Sequence, residues 1–207
     1  MFDWTIFQPR TPLALLELLL HLTAPLCGVL IFAAIARNFL RARSSGRVAR
    51  ERRSFVATGS MIGFFVGIYL LIHHKLGVIV VPSTIPRIAL MALGALLLLL
   101  GTVVNLLGRL QLGANWANQA TLYEAQTLVT AGIYRLVRHP LYASLIWIFY
   151  GAGLLYQNVA VLLANTLLFL PGMYYRAALE EKLLSDRFPA YADYRRQVGA
   201  LFPKLGR

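Results

Sequence analysis

Residues 140–175, PLYASLIWIFYGAGLLYQNVAVLLANTLLFLPGMYY, hold two apolar segments with only Gln157 and Asn158 between them. Segments joined that tightly must run antiparallel, so the stretch reads as a helical hairpin. A perpendicular helix needs about 20 residues to cross the hydrocarbon layer, and both arms fall short of that. Local packing or an extension at the membrane boundary has to complete them.

The rest of the chain supports a lipid environment for this hairpin. The 207 residues are 58% hydrophobic and 14% charged, with a mean hydropathy of +0.65. That composition excludes an ordinary soluble domain and predicts an all-α, polytopic integral membrane protein. Working outward, Leu13–Ala36, Phe55–His73 and Ile88–Gly108 read as three earlier spans, giving about five. Gly59, Gly63 and Gly67 recur every fourth residue in the second, which predicts close packing of that face against another helix. Residues 37–53 form a basic loop with arginines at 37, 41, 43, 47, 50, 52 and 53 against the single Glu51. Such a loop stays cytoplasmic and faces anionic lipid head groups. With the N-terminus outside and the C-terminus inside, only Arg10, Lys75 and Arg87 of the 20 lysines and arginines fall on the outer side.

The net charge of +12 therefore points to topology and lipid. Nucleic acid is not expected, because the basic residues do not interleave with aromatic ones along a groove. Cys27 is the only cysteine, so neither an intramolecular disulfide nor a cysteine metal cluster can form. Glu17 and His21 share a helix face in the first span. They read either as a proton-handling pair or as groups near the boundary facing neighbouring helices. His73 and His74 resemble a boundary pair more than a metal site, and no metal is expected. The N-terminal MFDWTIFQPRTP lacks the pattern of a removable signal peptide. Residues 1–109 thus read as a three-helix membrane region, and 110–207 as a functional core of connector, hairpin (140–175) and tail.

The polar groups concentrate at the mouth of the hairpin. Residues 129–142, VTAGIYRLVRHPLY, lead into its first arm, and 176–181, RAALEE, leave its second. The hairpin makes these two stretches neighbours, so His139 and Tyr142 can approach Arg176, Glu180 and Glu181. Pro140 suits the first turn of a helix, whose free amides favour an anionic group. Both signs of charge beside aromatic rings suit a zwitterionic, partly aromatic ligand such as S-adenosylmethionine (SAM). They equally suit an interfacial charge network that only anchors the hairpin.

At these residues the chain resembles the isoprenylcysteine carboxyl methyltransferases and their relatives among membrane phospholipid methyltransferases. The resemblance rests on LGANW (112–116), LVTAGIYRLVRHPLY (128–142), the pair Glu180–Glu181, and Phe188, Tyr191, Tyr194 and Pro203 in the tail. Ile133 and Ser144 depart from it, standing where the family often has proline and glycine. The resemblance implies a SAM-dependent methyltransferase acting on a lipid-like or lipidated acceptor that arrives from the bilayer. It implies a cofactor pocket lined by Leu128, Val129, Gly132, Tyr134, His139 and Tyr142, with Glu180 and Glu181 holding polar parts of the cofactor. Tyr191 and Tyr194 would close its cytoplasmic side. Arg176 is the candidate for orienting an anionic acceptor, and with Glu180 makes up the expected catalytic pair. A carboxylate of the isoprenylcysteine type is the favoured acceptor, ahead of a phospholipid amine or an apolar thiol. Two further readings are a non-catalytic membrane scaffold and an NADPH-dependent membrane reductase. RxxxEE weighs against the reductase, because a phosphate-rich cofactor prefers net positive charge.

Overall fold

The computed structural model describes residues 11–42, 48–52, 55–115, 120–123 and 127–204. The arginine side chains at 41–53 in the basic loop, and Trp116 in the connector, lie outside what it describes. Its helices are α1 (Pro12–Ala42), α2 (Phe55–His73), α3 (Thr84–Leu112), α4 (Pro140–Leu155), α5 (Val159–Ala164), α6 (Leu170–Arg187) and α7 (Tyr191–Gln197). A π-helical turn, Asn165–Phe169, joins α5 to α6. The two therefore form one rod, Val159–Arg187.

Among the described residues, three helices are long and apolar enough to cross a membrane: Pro12–Asn38, Thr84–Leu112 and Val159–Arg187. The Met61–His73 part of α2 and all of α4 are apolar but shorter. Phe32 on α1, Ile62 on α2, Leu99 on α3 and Leu167 and Leu168 on the rod are all exposed. In water this surface would be a large unfavourable patch; in a bilayer it is the lipid-facing side. The chain is a multi-pass membrane protein built from helices.

One feature departs from a purely helical reading. β1 (Val48–Arg52) pairs antiparallel with β2 (Ala120–Tyr123), Val48 opposite Tyr123 and Arg52 opposite Ala120. The basic loop and the connector were both expected to be irregular. Instead they satisfy each other's backbone donors and acceptors as a short ribbon. The first span also continues as helix to Ala42.

The tightest helix contact is between α3 and α4. Gly94, Gly101 and Gly108 recur every seventh residue on α3, a spacing that keeps one stripe facing an antiparallel partner. A Cβ on Gly94 would sit 2.5 Å from the backbone nitrogen of Leu155, and one on Gly101 would sit 2.9 Å from the carbonyl of Ser144. Only hydrogen fits there. The glycines expected to mediate packing are those of α2, yet among the described residues nothing beyond their own helix backbone lies within 4 Å of a Cβ built on Gly63 or Gly67, and the surroundings of Gly59 lie outside the described residues. A four-residue repeat marks a face without saying what lies opposite it. The intimate seam belongs to α3 because its glycines meet the small residues Gly151 and Ser144 of α4.

Polar side chains reinforce that seam. Arg109 Nε donates to Asn105 Oδ1 (2.8 Å), Asn105 Nδ2 to Ser144 Oγ (2.8 Å), and Ser144 Oγ to the carbonyl of Leu141 (2.7 Å). Away from water these groups have few alternatives, so the relay fixes the register of α4 on α3.

The hairpin turn falls where expected, and it is clasped from outside. The Asn158 side chain caps α5 by accepting from the Val161 amide (3.1 Å) and donates to the carbonyl of Leu71 on α2 (3.3 Å). Gln157, with φ +50°, accepts from the Val81 amide at its side chain (2.8 Å). At this same end, near the start of α3, Arg87 donates to Glu17 on α1 at 2.7 Å, and the ring of His21 lies 5.5 Å from that of Tyr156. Glu17 and His21 thus face neighbouring helices. His73 stacks on Tyr69, and no cluster of metal-ligating side chains occurs among the described residues.

Candidate functional site

The site forms where α4 begins and α6 ends. Residues before α4 make a 3-10 turn, Gly132–Arg135, and an extended segment that pairs with the tail. Val137 bridges Gly199, the Arg138 amide donates to the Gly199 carbonyl (2.8 Å), and the His139 amide donates to that of Ala200 (3.0 Å). Leu201 is fully buried beyond this contact. The segment carrying His139 is therefore held on one side by α4 and on the other by the tail.

Gly132 adopts φ +61°, a left-handed conformation that glycine takes without strain. It also leaves room for Gln111, whose side chain accepts from the Ile133 amide at 2.8 Å. Ile133 uses exactly the donor that the proline common in the family would lack, so that departure gains a hydrogen bond here. Asn115 Oδ1 accepts from the Thr127 amide (2.9 Å), which ties the LGANW stretch to the half-buried Leu128 and Val129.

The charged centre is compact. Arg138 donates to Glu181 through Nε (2.9 Å) and Nη2 (2.5 Å), and through Nη1 to the carbonyls of Arg195 and Val198. Arg195 Nε lies 3.4 Å from the other Glu181 oxygen. His139 stands between the glutamates, with Nε2 3.2 Å from Glu181 Oε1 and Nδ1 3.5 Å from Glu180 Oε2. Tyr142 donates its hydroxyl to Glu180 Oε1. Arg176 Nε donates to that same hydroxyl oxygen at 3.4 Å, and the guanidinium lies over the Tyr142 ring. Tyr194 donates to the Tyr134 carbonyl at 2.6 Å, and Tyr134 donates to the carbonyl of Gly108 at 3.4 Å. Tyr191 packs edge-on against Tyr194 and is almost wholly buried.

Burial disfavours a charged His139, but its hydrogen bonds to Glu180 and Glu181 outweigh that, and its pKa is raised above the ordinary histidine value. Burial pushes the phenols of Tyr134, Tyr191 and Tyr194 up. They act as neutral hydrogen-bonding groups.

The expected meeting of His139 and Tyr142 with Arg176, Glu180 and Glu181 is thus observed, and Tyr134, Tyr191 and Tyr194 join it. Two details differ from expectation. The start of α4 offers little to an anion, because Pro140 has no amide hydrogen and the amides of Tyr142 and Ala143 both donate to the His139 carbonyl. Arg138, whose guanidinium organises the cluster, was not singled out. Its position beside His139 in a polar run was the available signal, but only the fold shows that it reaches Glu181 and the tail. The two glutamates also differ: the Glu180 side chain is 28% exposed and that of Glu181 is 8%.

The fold and the site together define a helical membrane protein with a buried carboxylate, imidazole and guanidinium cluster at one end of a hairpin. Residues 89–190 match the phospholipid methyltransferase family. Among curated proteins, the cobalt-zinc-cadmium resistance protein CzcN of Cupriavidus metallidurans is 38% identical over 81 residues, covering 38% of this chain and 37% of that protein. The nickel-cobalt-cadmium resistance protein NccN of Alcaligenes xylosoxydans xylosoxydans is 36% identical over 80 residues, covering 38% and 37%. The eukaryotic intramembrane Ras methyltransferase, isoprenylcysteine carboxyl methyltransferase, superposes with a TM-score of 0.51 at 26% identity, covering 73% of this chain and 53% of that one. The chain therefore spans little more than a third of the curated relatives and about half of the solved methyltransferase. Just under half of the chain is thus similar in sequence to the phospholipid methyltransferase family, and its fold is similar to that of the intramembrane methyltransferase.

Proposed function

We propose that the chain is a SAM-dependent membrane methyltransferase acting on a lipid-like acceptor, most simply a carboxylate of the isoprenylcysteine type. The observation that carries this reading is the meeting of RHPLY with Glu180 and Glu181 at a membrane boundary, inside the region matched by the family. The chain would cross five times with its N-terminus outside, residues 110–207 would form the functional core, and the site would face the cytoplasm. The basic loop would lie against anionic head groups.

The donor set fits the cofactor. Glu180 is a partly open carboxylate beside the rings of His139 and Tyr142, which suits an ammonium next to a cationic sulfur. When bound, SAM supplies an electrophilic methyl group. Glu180 would take its ammonium, His139, Tyr142, Tyr134, Gly132, Leu128 and Val129 would line the pocket, and Tyr191 and Tyr194 would wall it from the cytoplasm. Glu181 acts through the residues it holds, since Arg138 and Arg195 already engage its carboxylate. Arg176 would orient an anionic acceptor arriving from lipid. Holding the acceptor in line with the methyl group lowers the barrier through positioning, and an ionised carboxylate needs no base.

The family match favours a second acceptor, a phospholipid amine. In that case Glu180 or His139 would take the proton the amine must lose. Calorimetry with SAM, S-adenosylhomocysteine (SAH) and NADPH on detergent-solubilised protein tests the cofactor, and heat with the adenosyl ligands alone is expected. Labelled-methyl transfer to membrane lipids, prenylcysteine analogues and apolar thiols, offered in parallel, identifies the acceptor. NADPH heat, or none with SAM and SAH in folded protein, overturns the reading.

A further inference from the structure

We infer that His139 is a proton-exchange group of the cofactor site: seating the cofactor's ammonium at Glu180 expels a proton from the imidazole. The inference rests on the proposed SAM site and adds to it a proton that ordinary displacement chemistry does not require.

Geometry sets the starting state. Nδ1 faces Glu180 Oε2 at 3.5 Å and Nε2 faces Glu181 Oε1 at 3.2 Å, with the ring side chain 6% exposed. A neutral imidazole has one N–H and one lone pair, so it would aim that lone pair at one of the two carboxylates. Only the imidazolium can donate towards both. Without ligand, His139 therefore carries a proton on each nitrogen.

The surrounding charges show which side gives way. From α6, Glu180, Glu181 and Arg176 face this region; from α4, Tyr142; from α7 and the turn before it, Arg195, Tyr191 and Tyr194; and next to His139 itself, Arg138. Glu181 keeps Arg138 and Arg195 whatever the state of His139. Glu180 is the more open carboxylate, and its Oε1 is already taken by the neutral Tyr142 hydroxyl. Glu180, if it held the cofactor's ammonium, would exchange the imidazolium for a new counter-charge. Two cations would then crowd one carboxylate in a poorly solvated site, and losing the imidazole proton restores the balance. Nδ1 is the nitrogen that deprotonates, because Nε2–H keeps its acceptor in Glu181. The bond broken is Nδ1–H, the proton leaves to solvent, and nothing is oxidised or reduced.

Two consequences are measurable. Binding SAH releases a measurable fraction of one proton near neutral pH, and SAH affinity rises with pH through the imidazolium titration. The test is calorimetry of SAH into the detergent-solubilised full chain near neutral pH, in three buffers of different ionisation enthalpy. Observed heat should vary linearly with buffer enthalpy, with the slope of proton release. His139→Gln, checked for folding by its unfolding transition, should bind SAH with heats that no longer depend on buffer. A flat dependence in the wild-type protein overturns the inference while leaving the cofactor reading in place, and needs no variant to interpret. An unchanged slope in a folded His139→Gln variant also overturns it. Absence of SAH heat in every buffer overturns both.

Discussion

Gly94 on α3 and Gly151 on α4 face each other so closely that a methyl group on either would sit 2.7 Å from the carbonyl oxygen of the other. Backbone cannot retreat from such a contact as a flexible side chain can. Alanine at Gly94 or Gly151 should therefore destabilise the protein by about 1–3 kcal/mol through overpacking, read as a lower unfolding midpoint in detergent. Alanine at Gly63 or Gly67, which meets no neighbour, should be neutral or slightly stabilising.

Glu180 and Glu181 should separate by function. Glu181→Gln leaves the guanidinium of Arg138 without its charged partner in a buried position, and should cost about 3 kcal/mol of stability. Glu180→Gln removes a partly exposed carboxylate and should leave folding nearly unchanged while weakening SAH binding about tenfold or more. Thermal unfolding and calorimetry on both variants decide the matter. If stability loss and affinity loss occur together in each, the division of labour is wrong.

The α3–α4 relay can be measured as a coupling. Ser144→Ala and Asn105→Ala each break a buried hydrogen bond and should each cost roughly 1–3 kcal/mol. The double variant should cost clearly less than their sum, because both substitutions remove the same Asn105–Ser144 bond. Strict additivity would show that the relay contributes nothing as a unit.

His139 makes stability depend on pH with a definite sign. Its folded pKa is raised, so the stabilisation it provides is fully present below the ordinary histidine value of about 6.5 and disappears as pH rises through the higher folded value. Unfolding midpoints of ligand-free protein should fall across that window, and His139→Gln should flatten this part of the profile.

Arg176 distinguishes the acceptors. With a carboxylate acceptor, Arg176→Gln should raise the KM for acceptor by tenfold or more while SAH affinity changes little. Equal losses in both would move Arg176 into the cofactor pocket.

Local patterns made much of this legible before any coordinates. Gln157 and Asn158 interrupt an apolar run, and that alone places the turn; the turn in turn brings His139 next to Glu180 and Glu181. What local patterns do not encode is the partner of a surface. The glycines of α2 and of α3 look equally suited to packing, and only α3 meets a small-residue face. Likewise β1 and β2 are short and far apart in the chain, so their pairing has no periodic signature. Arg138 shows the same limit, since its contacts with Glu181, Arg195 and Val198 are all long-range.

The π turn at Asn165–Phe169 works as a frameshift in the rod. Buried positions Val161, Asn165, Phe169, Met173, Ala177 and Glu181 follow one another at steps of four. In a regular α-helix each such step drifts by about 40°, so this stripe would wind away from α4 long before reaching Glu181. The wider turn takes up part of that drift, so the buried stripe still meets the hairpin core at one end and the charged cluster at the other. Removing one residue, for example the exposed Thr166, would swing everything after it by about 100°. Arg176 and Glu180 would then turn away from Tyr142 and His139, in a chain whose hydropathy had hardly changed.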